Sequence, residues 1–479
     1  MIKQITRPIS LASGSSTIPT LVYALCMKKD SEVGLVIKTG AGSAAHSVRG
    51  MSDRYEFYNL SPCILKSIPI YYSEGYLLTY HNLMDELETL SKMRGIPQPT
   101  NLLLFDPSVI IVTEYHKHLS WTMAKLMEKN KGSCGSGSGK AFLHAKMAPE
   151  GALYAKDLKD VKVIEQKLRN IRWWASSMIS NVTIDNFKKE EDKDTFRKIQ
   201  AVMLETTNLE LKRMVRELRS LGEKMYLATL PEVLQKFGCE AIIEQTHGVL
   251  ADSEKGFKPY VSGIRTLPQL FDKKLKDAGY TGEIMNIAVH RAYEYQHGPG
   301  PMPTFVPGLM KKIGISKKTN SLRGASRAGL LDLPRMKYAI DICGGPKYFN
   351  GGLCISCFDH ILSAPSCKVQ DVNRTGEKPV YFEKREKVWT VCNGYLCDGN
   401  AILSKRKKKI ELDTDMLMQK PPALNLVTTQ HVLPDLRTFE GKAGEQAMFS
   451  FVKEALAEHL DVPVTILSYG TGAKRTIWG

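Results

Sequence analysis

A run of glycine and serine that ends in lysine is the segment best suited to hold an anion. It reads Gly132-Ser-Cys-Gly-Ser-Gly-Ser-Gly-Lys140. Because these residues are small, their backbone N–H groups can approach a phosphate closely. The run is nearly a Walker A sequence, but a glycine is missing five residues before Gly139 and alanine follows Lys140, so we reject a P-loop. A flexible linker is the alternative interpretation.

A second segment fixes an unusual backbone path. Gly298-Pro-Gly-Pro-Met-Pro303 follows a short apolar stretch, and five of its six residues are glycine or proline. These residue types have permissive or restricted backbone angles at defined positions. Taken alone, the run predicts an exposed proline-rich turn.

The cysteines allow a metal-site interpretation. Two residues separate Cys354 from Cys357 and four separate Cys392 from Cys397, and four thiolates can bind zinc. The second spacing is loose and the first pair falls in a predicted buried strand, so zinc is the weaker hypothesis. Ten cysteines in 479 residues is ordinary usage, which predicts reduced thiols and a cytoplasmic location.

The charge is strongly positive. The formal net charge is +16, and its densest cluster is Lys405-Arg-Lys-Lys-Lys409. Such a field attracts nucleotides, polyphosphates or nucleic acid, although solvated lysine-rich helices would give the same composition. No run approaches 18 apolar residues, so no membrane span is expected.

Short apolar runs interleaved with helical patterns must position these segments. The strand candidates are Gly34–Lys38, Leu102–Phe105, Val109–Val112, Pro422–Thr428 and Val462–Ser468, and the helix candidates are Ile18–Met27, Val161–Trp174, Asp194–Leu218 and Ala443–Leu460. This alternation predicts an α/β fold around a large, mostly parallel sheet. We expect one domain over 1–479, with a helical insertion at about 160–237 and a basic loop at about 400–422.

Several segments together resemble the adenylosuccinate synthetase family. EQTHGVLAD from Glu244, KPYVS from Lys258 and GPGPMPT from Gly298 occur in the order of that family's Glu-Gly-Ala-Gln-Gly, Tyr-Pro-Phe-Val-Thr and Gly-x-Gly-Pro-x-Pro-Thr segments. The family joins L-aspartate to C6 of IMP with GTP and Mg²⁺, through 6-phosphoryl-IMP. The resemblance implies its large parallel sheet and a homodimer.

The resemblance implies a phosphate site and two histidine roles. The run from Gly132 resembles the family loop that binds the nucleotide 5′-phosphate, and Ser262 replaces a threonine near that phosphate. Gly40-Ala-Gly-Ser-Ala-Ala-His46 resembles Gly-Gly-x-Asn-Ala-Gly-His, whose histidine donates to the phosphate during transfer, and His247 replaces a glutamine that contacts the substrate. The implied phosphate-binding residues are Gly132, Ser133, Cys134, Gly135 and Ser262, and the implied catalytic residues include His46 and His247.

The resemblance also implies a purine-base site and an amino-acid site. Cys354-Ile-Ser-Cys-Phe-Asp359 resembles the segment whose aspartate binds guanine, and Ser468 and Gly470 match residues that complete that pocket. A carboxylate that accepts two parallel N–H bonds gives a strong and geometry-specific contact. Arg323 and Arg327 fall in the family's aspartate-binding loop, where an arginine fork suits a carboxylate. Both arginines could equally be surface charges.

The amino-terminal loop departs most from the family. The family opens with Gly-x-x-Trp-Gly-Asp-Glu-Gly-Lys-Gly-Lys, whose aspartate binds Mg²⁺ and takes a proton from the base. Between Pro8 and Met27 this chain has no Asp, Glu, Lys or Arg, and Ser13 takes the catalytic place of the aspartate. A hydroxyl is a poorer Mg²⁺ ligand and base than a carboxylate. Phage relatives that use dGMP also carry serine there.

Two hypotheses follow. The first is a divergent ligase that uses GTP or ATP with Mg²⁺ to join aspartate, or another amino acid, to C6 of a purine nucleotide such as IMP or dGMP. The second is a homologue that has lost catalysis and senses nucleotides or binds nucleic acid. The missing charges near the amino terminus and the +16 balance motivate the second.

Overall fold

The computed structural model describes most of the chain. The residues outside the description are 16, 43–45, 50–53, 93–98, 127–131, 133, 205–207, 316–321, 364–366, 372–379, 398–399, 404–409, 420–423, 435–440 and 470–475. The cluster Lys405–Lys409 therefore lies outside the described residues.

The strands and helices are numbered in chain order. The strands are β1 Gln4–Ser10, β2 Val33–Thr39, β3 His46–Arg49, β4 Arg54–Phe57, β5 Ile70–Tyr72, β6 Leu77–Thr79, β7 Leu103–Phe105, β8 Ile110–Val112, β9 Tyr226–Leu227, β10 Glu240–Gln245, β11 Glu283–Arg291, β12 Glu294–His297, β13 Ser326–Gly329, β14 Leu331–Asp332, β15 Leu353–Ser356, β16 Cys367–Asp371, β17 Val380–Glu386, β18 Val388–Cys397, β19 Asn400–Leu403, β20 Leu424–Val432, β21 Val464–Ser468 and β22 Thr476–Trp478. The helices are α1 Ile18–Cys26, α2 Tyr80–Ser91, α3 Glu114–Leu126, α4 Ser138–Met147, α5 Val161–Ser177, α6 Glu190–Leu204, α7 Leu209–Lys224, α8 Leu230–Lys236, α9 Gln269–Asp277, α10 Leu309–Lys312, α11 Leu333–Ile342, α12 Phe358–Leu362, α13 Thr414–Met418 and α14 Gly441–Leu456.

A ten-stranded sheet dominates the described residues. Its order is β22-β21-β15-β11-β1-β10-β2-β5-β7-β9, and all neighbours are parallel except β21 and β22. The central strand β1 is buried along nearly its whole length, as expected for a parallel strand that is covered on both faces. The predicted α/β class with a mostly parallel sheet is confirmed.

Helix α1 covers one face of the sheet. Pro19 stands in its first turn, where a missing N–H costs nothing, and eight of its nine residues are buried. It packs on an apolar set from five strands: Val36, Ile242, Ile287, Val289, Cys354 and Ile466. The prediction of a helix from Ile18 is confirmed.

The helical insertion packs into an apolar cluster that also includes residues of β5 and β7. Helices α5, α6 and α7 bury Ile164, Leu168, Phe196 and Met214 against one another and against α3. The helical pattern Asp194–Leu218 was predicted as continuous, and this is wrong. Helix α6 ends at Leu204 and α7 begins at Leu209, directly after Asn208, whose φ of 56° is left-handed and does not fit a regular helix.

Smaller sheets flank the large one. Strand β18 pairs with β14, β19 and β20, and β6 pairs with β8. The predicted strand at Val109–Val112 therefore exists but lies outside the ten-stranded sheet. The predicted basic loop at about 400–422 also contains β19 and α13.

One cysteine pair differs from the prediction. Cys26 at the end of α1 and Cys63 in the short 3₁₀ helix Pro62–Lys66 form a disulfide, with Cα atoms 6.3 Å apart. The 3₁₀ helix packs directly on α1, which brings the two sulfurs together. The expectation that all thiols are reduced is wrong at this pair.

Candidate active site

The carboxyl ends of six neighbouring strands meet at one edge of the large sheet. Strands β21, β15, β11, β1, β10 and β2 end at Ser468, Ser356, Arg291, Ser10, Gln245 and Thr39. Ligands of open α/β sheets bind at this edge because the loops after the strands converge there. Most of the sequence-predicted site residues follow these strand ends.

The loop after β1 (residues 11–17, here called the front loop) is held by backbone contacts. Ser10 Oγ donates to the Gly14 carbonyl at 2.6 Å, and Gly14 forms an antiparallel bridge with His247. The Gly248 N–H donates to the Ser13 carbonyl at 3.3 Å. The structure thus places Ser13 and His247, two predicted catalytic residues, side by side.

His247 is an uncharged imidazole at neutral pH. Burial, and then the nearby Arg323 guanidinium, lower its pKa to about 4. Its Nδ1 lies 3.2 Å from Thr246 Oγ1, which accepts from the Ala41 N–H at 2.8 Å. The segment after β10 is therefore tied to the turn after β2.

The glycine-rich run (residues 132–137, here called the glycine loop) has the backbone that its composition predicts. Gly132, Gly135 and Gly137 have φ of 79°, 73° and 83°, in the left-handed region that glycine tolerates. The loop leads directly into α4, whose first N–H groups suit an anion. Ser133 lies outside the described residues.

Arg323 connects the glycine loop to His247. Burial alone would raise the pKa of the Cys134 thiol, but the Arg323 guanidinium and hydrogen bonds from Ser136 together lower it. The same guanidinium acts on His247. Ser262 lies close to the end of the glycine loop. A Cβ placed on its neighbour Gly263 would be 3.8 Å from the Cα of Gly139, in the first turn of α4. The Arg323 guanidinium and the backbone of the glycine loop therefore lie next to each other.

The glycine–proline run 298–303 forms a wall behind the glycine loop. Gly298 and Gly300 have φ of 74° and 116°, and both are buried. Arg327 donates from Nε to the Gly298 carbonyl at 3.0 Å and from Nη2 to the Gly300 carbonyl at 2.8 Å. The prediction of an exposed turn is wrong, because the run is packed against β13 and Arg327. Arg327 holds the shape of this wall.

At the other end of the edge, Asp359 and Ser468 are brought together. Ser356 pairs with Ser468 in adjacent parallel strands, and Asp359 lies in the first turn of α12, three residues after Ser356. Asp359 Oδ2 lies 3.8 Å from His360 Nε2, and His360 Nδ1 lies 2.8 Å from the Tyr293 hydroxyl. We call Ser356, Asp359 and Ser468 the base site. Gly470 and the side chain of His46 lie outside the described residues.

The comparisons with known proteins show the family and the fold of the chain. A family model described as adenylosuccinate synthetase matches residues 27–369, which is most of the chain. The chain belongs to the adenylosuccinate synthetase family.

The relatives are distant in sequence. Adenylosuccinate synthetases of Thermoplasma acidophilum and Thermoplasma volcanium are 24% and 28% identical, over 63% of this chain and 65% of each of theirs. One of Petrotoga mobilis is 26% identical over 80% of this chain and 88% of its own. The match to the two Thermoplasma proteins thus spans about two thirds of their length.

Two solved structures share the fold. A fully ligated adenylosuccinate synthetase of Plasmodium falciparum matches with a TM-score of 0.71 and 14% identity, over 99% of both chains. A cyanophage S-2L succinoaminodeoxyadenylate synthetase, bound to dGMP and dATP, matches with a TM-score of 0.53 and 12% identity, over 100% of this chain and 96% of its own.

The Mg²⁺ that the adenylosuccinate synthetase family implies does not fit the front loop. The side chains of Ser10, Ser13 and Ser15 offer hydroxyls, and the loop has no carboxylate, whereas Mg²⁺ prefers carboxylate anchors. Ser10 Oγ is already engaged with Gly14. Within the described ranges, no three His, Cys, Asp or Glu side chains converge as a metal site.

The zinc alternative is therefore wrong for the described cysteines. Cys354 lies in β15 of the large sheet, whereas Cys392 lies in β18 and contacts the Gly394 carbonyl. Cys397 Sγ contacts Gln419 Oε1 at 3.3 Å. Cys354 belongs to the apolar cluster beneath α1, whereas Cys392 belongs to the cluster that contains Trp389.

Sequence reasoning missed a buried ionic group beneath the edge. Lys38 and Glu244 pair at 2.7 Å with side chains 0% and 1% exposed, and burial raises the pKa of Glu86 to about 7. Glu86 accepts from the N–H groups of Asn59 and Leu60, both at 2.9 Å. It therefore fixes the segment before the short 3₁₀ helix Pro62–Lys66. The sequence did contain a sign of this ion pair, because Lys38 and Glu244 each interrupt an apolar strand pattern.

The helices of the structure were also compared with the length and polarity that a membrane span requires. Within the part of the chain that the structure describes, every helix is too short or too polar to span a bilayer.

Proposed function

We propose that this chain is a divergent adenylosuccinate-synthetase-type ligase. A nucleoside triphosphate phosphorylates the 6-oxo group of a purine nucleotide, and the amino group of an amino acid, most simply aspartate, displaces that phosphate. IMP and dGMP are the acceptors we favour. Membership of the family supports the reaction type.

One observation carries the proposal. The base site on β15 and β21 and the cluster of glycine loop, His247 and Arg323 lie at the same sheet edge, with the ends of β11 and β1 between them. Two nucleotides bound at these places would direct their reactive groups toward the strands between them. Phosphoryl transfer depends mainly on such positioning and on nearby positive charge.

The proposed roles follow this geometry. Asp359 and Ser468, with Gly470, bind the donor base, and a carboxylate there favours guanine over adenine because guanine offers two parallel N–H donors. The glycine loop and Ser262 bind the acceptor phosphate. Arg323 faces the acceptor and captures the amino-acid carboxylate. The proposed catalytic residues are His46, His247 and Ser13, and Arg327 supports the amino-acid site through the 298–303 wall.

The test is direct. The protein is incubated with GTP or ATP, Mg²⁺, aspartate, and IMP or dGMP, and phosphate release and the succinylated product are followed by colorimetry and mass spectrometry. We expect product with at least one acceptor. No phosphate and no product with any combination would contradict the proposal.

The front loop motivates the second candidate, a nucleotide-sensing or nucleic-acid-binding homologue without turnover. The loop has no acid or base, and the chain carries a net charge of +16. Salt-dependent binding to DNA or RNA without turnover would favour it. A homodimer and a cytoplasmic location remain predictions that size-exclusion chromatography with light scattering and cell fractionation would test.

A further inference from the structure

Arg291 is a partly buried cation that has no carboxylate partner among the residues that the structure describes. Its Nη1 donates to the Tyr293 hydroxyl at 3.4 Å, and its guanidinium carbon lies 4.6 Å from the centre of the Tyr295 ring. Among the described residues it forms no ion pair with a carboxylate. A guanidinium withdrawn from water is normally paired, so this one has capacity for an anion.

Three other arginines in the described residues pair with carboxylates. Arg7 pairs with Asp272 at 2.7 Å, and Arg335 pairs with Glu294 at 3.3 Å. Arg265, which is one-third exposed, pairs with the buried Asp252 at 3.1 Å. Arg291 differs from all three because its described neighbours are the Tyr293 hydroxyl, the Tyr295 ring and the Cys357 thiol, and none of them is a carboxylate.

The position of Arg291 indicates which anion it would meet. Arg291 is the last residue of β11 and pairs in register with Ser356 of the base site. On its other side, β11 pairs with β1, and the Leu11 N–H of the front loop donates to the Val289 carbonyl at 3.0 Å. Arg291 therefore stands between the base site and the front loop.

Hydrogen bonds fix the guanidinium beside the base site. Tyr293 contacts both Arg291 and His360, and His360 lies 3.8 Å from Asp359. The Tyr295 face supports the guanidinium from a second side through a cation–π contact. The side chain is thus held in place before any ligand arrives.

We propose that Arg291 binds the polyphosphate of the donor nucleoside triphosphate and supplies the positive charge that the front loop lacks. A base held by Asp359 and Ser468 places its phosphates over the end of β11, and the planar fork of arginine suits two phosphate oxygens. This inference rests on the proposed function in taking a purine nucleoside triphosphate as donor.

Binding of guanosine, GMP, GDP and GTP, with the adenosine series in parallel, tests the inference by calorimetry without acceptor or amino acid. Wild-type affinity should rise with phosphate number. Arg291→Met should weaken triphosphate binding about 10- to 100-fold and leave nucleoside binding unchanged. Arg172→Met, which removes the same charge from α5, should bind every ligand as the wild type does.

Two outcomes would overturn the inference: triphosphate binding by Arg291→Met equal to the wild type, or equal losses for nucleoside and triphosphate. If the methionine variant does not fold, Arg291→Lys replaces it. This variant should bind the triphosphate several-fold more weakly and the nucleoside as well as the wild type does. Wild-type affinity of Arg291→Lys for both ligands would overturn the inference. Because the assay needs no turnover, absence of ligation would leave it standing. If the wild type ligates but Arg291→Met shows the same dependence of affinity on phosphate number, the inference is wrong and the proposed function still holds.

Discussion

The front loop and the glycine loop lie at the same sheet edge but are built differently. The glycine loop has three left-handed glycines, an adjoining helix amino terminus and the Arg323 guanidinium. The front loop is fixed by backbone contacts to the segment after β10, and its side chains carry no charge. One loop offers an electrostatic site of its own, and the other depends on charge from neighbouring strands.

The largest expected effect is at the junction that holds the front loop. A Cβ on Gly248 would lie 1.9 Å from the Ala12 carbonyl oxygen. Gly248→Ala should therefore destabilise the fold by about 3 kcal/mol, the upper part of the range for overpacking. Thermal unfolding measures the loss.

Gly14→Ala is the matched control within the same loop. A Cβ there would meet nothing within 4 Å, so stability should stay within about 0.5 kcal/mol of the wild type. Equal stability of the two variants would show that the front loop is not fixed by this junction.

The glycine loop should be sensitive for a different reason. Gly137 has a φ of 83°, and a Cβ there would lie 2.7 Å from the Lys117 backbone nitrogen. Gly137→Ala should cost about 2 kcal/mol, mostly from the left-handed backbone, and should weaken acceptor binding. Denaturant unfolding and IMP or dGMP titration measure the two effects. Unchanged acceptor affinity in a destabilised variant would separate this loop from the nucleotide.

Acid should weaken the support beneath the glycine loop. His116 of α3 packs against His144 of α4, and burial lowers the pKa of His116 to about 3. The pKa of His116 is lower in the folded protein than its unfolded value of about 6.5. Neutral His116 therefore contributes its full stabilisation above pH 6.5, and this contribution is lost as the pH falls toward 3. The loss between pH 8 and 5 should be about 1–2 kcal/mol, and urea unfolding at several pH values measures it.

His116→Gln should reduce this acid dependence. Glu86, which holds the segment after β4, has a raised pKa and works in the opposite direction, since its contribution is lost as pH rises from about 4.5 to about 7. An unchanged slope in the histidine variant would assign the acid sensitivity to other groups.

The smallest expected effect concerns thiol reactivity. The pKa of the partly exposed Cys134 is lowered by Arg323, whereas burial raises that of Cys239. Arg323→Met should slow alkylation of Cys134 by iodoacetamide at pH 7 several-fold, because the thiolate is the reacting form. Peptide mass spectrometry measures the rate, and Cys239 is the internal control. If Cys134 is alkylated at the same rate in the wild type and in Arg323→Met, Arg323 does not act on the glycine loop.

Local patterns predicted much of the fold. The start of α1 at Ile18 and the late strand ending at Ser468 match the structure because an apolar run between clear breakers defines each. The interruption between α6 and α7 has no such signal, because neither glycine nor proline stands between Leu204 and Leu209. The Cys26–Cys63 disulfide joins segments whose contact only the tertiary fold establishes.

The candidate site was proposed where a motif existed. Asp359 lies in α12, directly after β15, and Ser468 ends the neighbouring strand β21, so two distant segments reach the same part of the sheet edge. Arg291 was missed because a lone arginine at a strand end is common. Its unusual property, a cation among neutral partners, exists only after β11, β12 and β15 assemble.

The bridge between Gly14 and His247 joins the front loop to the segment after β10. A displacement of either segment would therefore act directly on the other, although the strands that carry them are far apart in the sequence.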